Sequence, residues 1–445
     1  MGLAGWGLAG VSLASPPHAV AGARWFRQPP GLAILFLTQM WEIFSYYGMR
    51  TLLVYYMTKQ LLFSQQHASL VYGAYVATFY FTPILGGVVS DRWLGRKRSV
   101  IIGAAIMSLG HFLMASESLL YFALAAIALG NGLFLPSLPS QIDDLYAKDD
   151  PRRGSAYNFY YVGINVGGLL APLVCGTLGE LYGWHWGFGA AGVGMLLGLG
   201  IYTFGSRWLP PERPKARDIA PAERTPPDAM RRRILALAAI AACVMVFRGA
   251  YEQSGNTIAL WADVGLDRGA GDFTIPMTWF QSLNPLLVIF LTPIFVAMWT
   301  RQAAQGREPA PARKMSLGAF GVALAFVLLA CVDASAGGHA HWAWLAAFFL
   351  LFTVGELFIL PIGLSLFARL APAGYAATSI AAWYFASFGG NLLAGALGTL
   401  WSAMGHASFF GVMAGVAGLA GILLRLLDPA VRRAEAGHPN LSGTD

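Results

Sequence analysis

Five charged residues lie clearly inside long apolar runs, away from their ends: Glu42, Arg50, Arg248, Glu252 and Glu356. A charge within a membrane span is costly and normally faces a cavity or a partner. In the first run, Gln39, Glu42, Tyr46 and Arg50 fall on one helix face at about 100° per residue. Arg248, Glu252 and Asn256 share a face by the i, i+4, i+8 spacing. A polar stripe on a buried helix implies a wet cavity. Three carboxylates against two guanidiniums leave one negative charge, so a single proton neutralises the set. None of the five fits a metal-binding or nucleophilic pattern, which argues against a membrane-bound enzyme. No cofactor is implied beyond the proton itself.

The elements that must position these residues follow from composition. The chain has 445 residues, of which 56% are hydrophobic and 11% charged. Its mean hydropathy is +0.56. A soluble domain carries about 25% charged residues, so this chain could not cover a soluble surface. Disorder requires low hydrophobicity and high charge. Three scattered cysteines (Cys175, Cys243, Cys331) exclude a disulfide scaffold and read as small packing residues. What remains is an all-α polytopic membrane protein partnered by the lipid bilayer.

Apolar runs fall at about 30–58, 66–90, 98–114, 119–139, 155–178 and 186–206. A polar linker at 207–232 follows, then runs at about 234–262, 275–300, 314–333, 343–370, 375–400 and 408–427. The expectation is therefore 12 transmembrane helices in two six-helix bundles, residues 30–206 and 233–427. Residues 1–29 lack a basic leader region and read as a disordered cytoplasmic tail; residues 428–445 form a second tail. The linker of 26 residues is heavily charged and cannot span twice. Of the 29 Lys and Arg residues, all but Lys59, Arg268, Arg50 and Arg248 fall in the tails, the even-numbered loops or the run ends that adjoin them. By the positive-inside rule both termini are cytoplasmic. This asymmetry accounts for the net charge of +7 without any nucleic-acid partner.

Gly87-Val-Val-Ser-Asp91-Arg92-Trp-Leu-Gly95-Arg96-Lys97 joins the second and third runs. It resembles the signature loop of the major facilitator superfamily. Glycines permit a tight turn. Asp91 at a helix end can pair with a basic group or a helix N-terminus between the halves, a lock for one side of an alternating-access cycle. Topological anchoring by its basic residues is the plainer reading. The charged cluster Asp143-Asp144, Lys148-Asp149-Asp150, Arg152-Arg153 either supports a gate or forms a solvated loop.

A more specific resemblance covers about residues 33 to 400. Tyr46-Tyr47-Gly48-Met49-Arg50, Phe159-Tyr160-Tyr161 with Asn165, Tyr251-Glu252-Gln253, Gln281-Ser282-Leu283-Asn284-Pro285 and Gly355-Glu356 with Pro361 are similar, in order, to helix motifs of the proton-dependent oligopeptide transporters. The resemblance implies import of di- and tripeptides by proton symport across a plasma, or bacterial inner, membrane. It implies that Glu356 receives the peptide's amino terminus beside Asn284. It places Tyr46, Tyr47, Tyr80 and Asn165 around the peptide backbone, with Trp383 and Ser387 lining the pocket. Arg50 and Glu252 match a pair at the extracellular gate, which would open when Glu252 takes a proton; Glu356 is the second candidate for that proton. The fold works as a monomer.

Three positions, in the first and fourth helices, depart from that pattern. The family carries Glu-x-x-Glu-Arg in its first helix; here the positions read Gln39-Met-Trp-Glu42-Ile43. Leu135 stands where the fourth helix has a Lys. Both lost cations face the peptide carboxylate in the family. Glu42 without its partner is expected to be protonated or to find a new cation. Arg248, where the family has an aromatic, is the candidate replacement. It pairs with Glu252 or Glu42, or supplies the cation for the substrate carboxylate; the competing reading is a snorkelling residue near a helix end. These departures keep two alternatives open: a transporter of another solute or with altered coupling, and a peptide sensor that does not transport. The histidines are expected at loops and helix ends, although His339 and His341 could sense pH.

Overall fold

The computed structural model describes residues 28–146, 150, 152–211, 227–371 and 376–436. The expected N-terminal tail up to residue 27, linker residues 212–226, Lys148, Asp149 and the tail from 437 lie outside the described residues. We number the long helices α1 (Pro30–Tyr55), α2 (Gln65–Val89), α3 (Arg96–Leu113), α4 (Leu120–Ser137), α5 (Arg153–Ala171) and α6 (Trp184–Gly205). They continue with α7 (Pro227–Tyr251), α8 (Leu283–Ala304), α9 (Pro311–Ala336), α10 (Ala343–Leu357), α11 (Ala376–Gly398) and α12 (His406–Ala436). Helices satisfy their own backbone groups, which is why apolar runs of this length fold so in lipid.

Among the described residues, ten helical segments are long and apolar enough to cross a membrane. The other two long helices, α1 and α3, have visible reasons for falling short. Helix α1 carries Gln39, Glu42, Arg50 and three tyrosines, and α3 opens with Arg96, Lys97 and Arg98. Large apolar side chains such as Leu85, Phe122, Phe204, Phe290 and Leu426 lie exposed, as lipid-facing residues should.

Several helices are interrupted where polar residues cluster. A 3₁₀ turn, Glu252–Gly255, ends α7 before a short helix, Thr257–Val264. Helix α10 stops at Leu357 and resumes as Leu360–Leu370. Pro361 causes that second break, because it cannot donate to a carbonyl one turn earlier. Glu252 and Glu356 therefore both sit at breaks in the backbone ladder.

The chain divides into two compact units. One comprises residues 1–49 and 81–218; the other comprises 50–80 and 219–445. The boundary runs through α1 between Met49 and Arg50 and through α2 between Tyr80 and Phe81. The core of the second unit is aromatic. Trp261 meets Phe410 edge-on at 5.6 Å, and Tyr251 stacks on Phe352 at 4.9 Å.

Candidate functional site

The second unit brings four of the five intramembrane charges together. Arg50 Nη2 lies 2.6 Å from Glu252 Oε2, and Arg248 Nη1 lies 2.7 Å from Glu252 Oε1. One carboxylate is thus held by two guanidiniums, one oxygen each. Glu252 and Arg248 are buried. Arg50 Nε also donates to the Tyr72 hydroxyl at 2.7 Å. The end of α1 is held further by Tyr55, whose hydroxyl donates to the Ala259 carbonyl at 2.6 Å, and by Lys59, 2.6 Å from Asp263.

Arg248 is not a snorkelling residue. Its guanidinium carbon stands 5.0 Å from the Tyr80 ring centre, and Tyr80 lies 6.4 Å from Tyr384. Its stem runs against Gly390 of α11, where an added Cβ would come 2.5 Å from the Arg248 Cβ. A side chain at residue 390 would contest the space Arg248 needs.

Glu356 accepts a hydrogen bond from Asn284 Nδ2 at 2.5 Å, and the same amide nitrogen also reaches Thr353 Oγ1 at 3.0 Å. Tyr251 hydrogen-bonds to Glu356, and Glu356 lies within electrostatic reach of both Arg248 and Glu252. Around the α7 break, Gln253 donates to the Ala394 carbonyl at 2.8 Å, and Ser69 donates to Asn256 at 3.0 Å.

The expected pocket residues of α11, Trp383 and Ser387, are both buried. Trp383 is buried in the core of the second unit, edge-on to Phe367 at 5.4 Å. The Ser387 hydroxyl turns back to the Trp383 carbonyl at 3.1 Å, and Asn391 bonds the Ser387 carbonyl at 2.8 Å.

The first unit holds Glu42, Tyr46, Tyr47 and Asn165. Glu42 is fully buried, and its Oε2 accepts from Gln39 Nε2 at 2.7 Å. The Gln39 carbonyl oxygen accepts from Tyr160 on α5. Glu42 Oε1 is buried without a partner. Gln39 is therefore an amide bridge between the Tyr160 hydroxyl and a lone carboxyl. Tyr46 and Tyr47 meet edge-on at 5.3 Å, and Asn165 bonds back to the Tyr161 carbonyl at 2.9 Å.

The loop after α2 is a π turn, Ser90–Leu94, closed by Gly95 at φ +77°, a conformation that favours glycine. Gly87 and Asp91 lie just before and within that turn, and Arg92 is exposed there. Arg96 reaches Asp144 at 2.9 Å and the Ser140 carbonyl at 2.8 Å. The charged cluster after α4 is thus tied to the motif loop through Asp144. Further along, hydrogen bonds from Arg152 hold the Asp150 carboxyl below the usual carboxylate range.

Sequence reasoning missed Tyr72, Thr353 and Tyr384. Tyr72 carries a usable signal: it stands eight residues before Tyr80, the spacing that links Arg248 to Asn256.

A family model described as the POT family matches residues 97–225 and 222–412. The chain belongs to the POT family. It is 30% identical to a protein named "Di-/tripeptide transporter" from Lactococcus lactis subsp. cremoris, over 90% of this chain and 95% of that one. It is 31% identical to "Uncharacterized transporter YclF" from Bacillus subtilis (strain 168), over 93% and 96%. A solved POT peptide transporter in complex with sulfate superposes with a TM-score of 0.84 at 29% identity, covering 92% of this chain and 96% of that one. As a POT-family chain it is a transporter and not an enzyme, and it is integral to the plasma membrane.

Proposed function

We propose that this chain imports di- and tripeptides with protons by alternating access, through twelve spans with both termini cytoplasmic. The observation that carries the reading is Glu356. Its hydrogen-bond partners are an amide and a phenol, both neutral. A carboxylate so held keeps acceptor capacity for an ammonium group, and a charge-assisted bond there is strong. Tyr251, which hydrogen-bonds to Glu356, and Tyr80, which lies under Arg248, suit varied side chains. Relatives named di-/tripeptide and peptide transporters support the substrate class.

The gate in this proposal is the Arg50–Glu252 pair, which ties the end of α1 to α7. Proton uptake by Glu252 would release it. Counterflow of a labelled dipeptide in proteoliposomes, without any gradient, tests transport. Wild type is expected to exchange, and Glu356→Gln to lose at least tenfold in rate. Absence of exchange by folded wild-type protein overturns the reading. An inward proton gradient should then drive accumulation in wild type and not in Glu252→Gln. Accumulation that survives in Glu252→Gln removes Glu252 as the coupling group and leaves peptide transport standing.

A further inference from the structure

Resting on the peptide reading above, we infer that Arg248 is the subsite for the substrate's carboxylate. It takes that group on its Nε edge while Nη1 stays on Glu252, so one unit of the molecule reads both charged ends of a short zwitterion.

The geometry of the two guanidiniums separates their roles. Arg50 uses Nη2 on Glu252 and Nε on Tyr72. Arg248 uses Nη1 on Glu252, while its Nε is buried without a partner. A buried guanidinium N–H with no acceptor is expensive to leave unmade. The Nε edge of an arginine is also one that binds carboxylates side-on, through two parallel bonds. An acceptor arriving from a substrate would satisfy it.

The surroundings match a zwitterion. Arg248 lies over Tyr80, and Tyr251, one helical turn along, hydrogen-bonds to Glu356. An ammonium at Glu356 and a carboxylate at Arg248 would flank Tyr251. Two extended residues span at most about 7 Å, which suits groups near enough to interact electrostatically. Charge balance points the same way. Arg50 and Arg248 offset Glu252 and Glu356, so an incoming zwitterion leaves the cluster neutral. A peptide with an amidated C-terminus would bring one uncompensated positive charge. Binding on the Nε edge leaves Glu252 held by Arg50 on one oxygen and by Arg248 Nη1 on the other.

The test compares binding of dialanine and dialanine amide to the full-length protein in nanodiscs. Wild type is expected to bind the amide at least tenfold more weakly. In Arg248→Gln the dipeptide should weaken by about that factor while the amide changes little, so discrimination collapses towards unity. Arg248→Lys keeps the charge without the Nε edge and should discriminate by an intermediate factor. In Arg50→Gln discrimination should persist. Full discrimination in folded Arg248→Gln or Arg248→Lys overturns the assignment, and so does wild-type protein that binds both ligands equally. Wild-type protein that binds neither overturns the peptide reading and this subsite together.

Discussion

The paired guanidiniums on Glu252 set a hierarchy among single substitutions. Removing one member of a buried ion pair costs about 3–5 kcal/mol, because a charge is left uncompensated. Glu252→Gln strips the partner from both Arg50 and Arg248. Arg248→Gln leaves Glu252 on Arg50. Thermal unfolding in detergent should therefore fall furthest for Glu252→Gln, and a larger drop for Arg248→Gln would refute the bridging geometry. Tyr72→Phe removes the acceptor of Arg50 Nε and should cost about 1–3 kcal/mol. The charged members of this cluster were legible in the sequence, because ionisable residues stand out against apolar runs. The i, i+4 pairing of Arg248 with Glu252 was legible too. Tyr72 left only its eight-residue spacing to Tyr80, and Thr353 and Tyr384 left nothing. Within a membrane span, tyrosines and threonines are also packing and interface residues, so only the pairing of distant helices distinguishes them. Trp383 meets Phe367 edge-on, and the Ser387 hydroxyl bonds the Trp383 carbonyl of its own helix.

At the scale of helices, hydropathy located the long apolar elements, and their ends moved for physical reasons. Helix α7 begins at Pro227, seven residues before the expected run, because Arg231, Arg232 and Arg233 favour helix while remaining polar. The breaks beside Glu252 and Glu356 left unequal traces. Pro361 marks the one in α10, whereas nothing in the hydropathy of α7 announces the turn at Glu252–Gly255. Close helix packing makes its own prediction. Gly390→Ala puts a methyl 2.5 Å from the Arg248 Cβ, so α7 and α11 must part or Arg248 must shift. The variant keeps every charge. It should nonetheless lower both thermal stability and dipeptide exchange, and unchanged values for both would show that the two helices yield freely there.

At the scale of the molecule, the compact units differ from the halves expected at 30–206 and 233–427. Residues 50–80 group with the C-terminal residues because Arg50, Tyr55 and Lys59 are each bonded there. Apolar spacing cannot reveal this, since it counts helices without saying where one helix changes allegiance. Expressing the chain as two pieces cut within 212–226 gives a direct check. The C-terminal piece alone should be unstable in detergent, because it lacks Arg50 and Tyr72, and co-expression with the N-terminal piece should restore it. A C-terminal piece that is as stable alone would contradict the division. The same arrangement bears on how the protein is made. Arg50 enters the bilayer 202 residues ahead of Glu252. At about 5–20 residues per second of synthesis, it waits roughly 10–40 seconds for its carboxylate. The first two helices thus reach the membrane before their counter-charge exists. Something else must shelter that guanidinium on the ribosome's timetable, be it the insertion machinery, lipid phosphate or a drawn-in water.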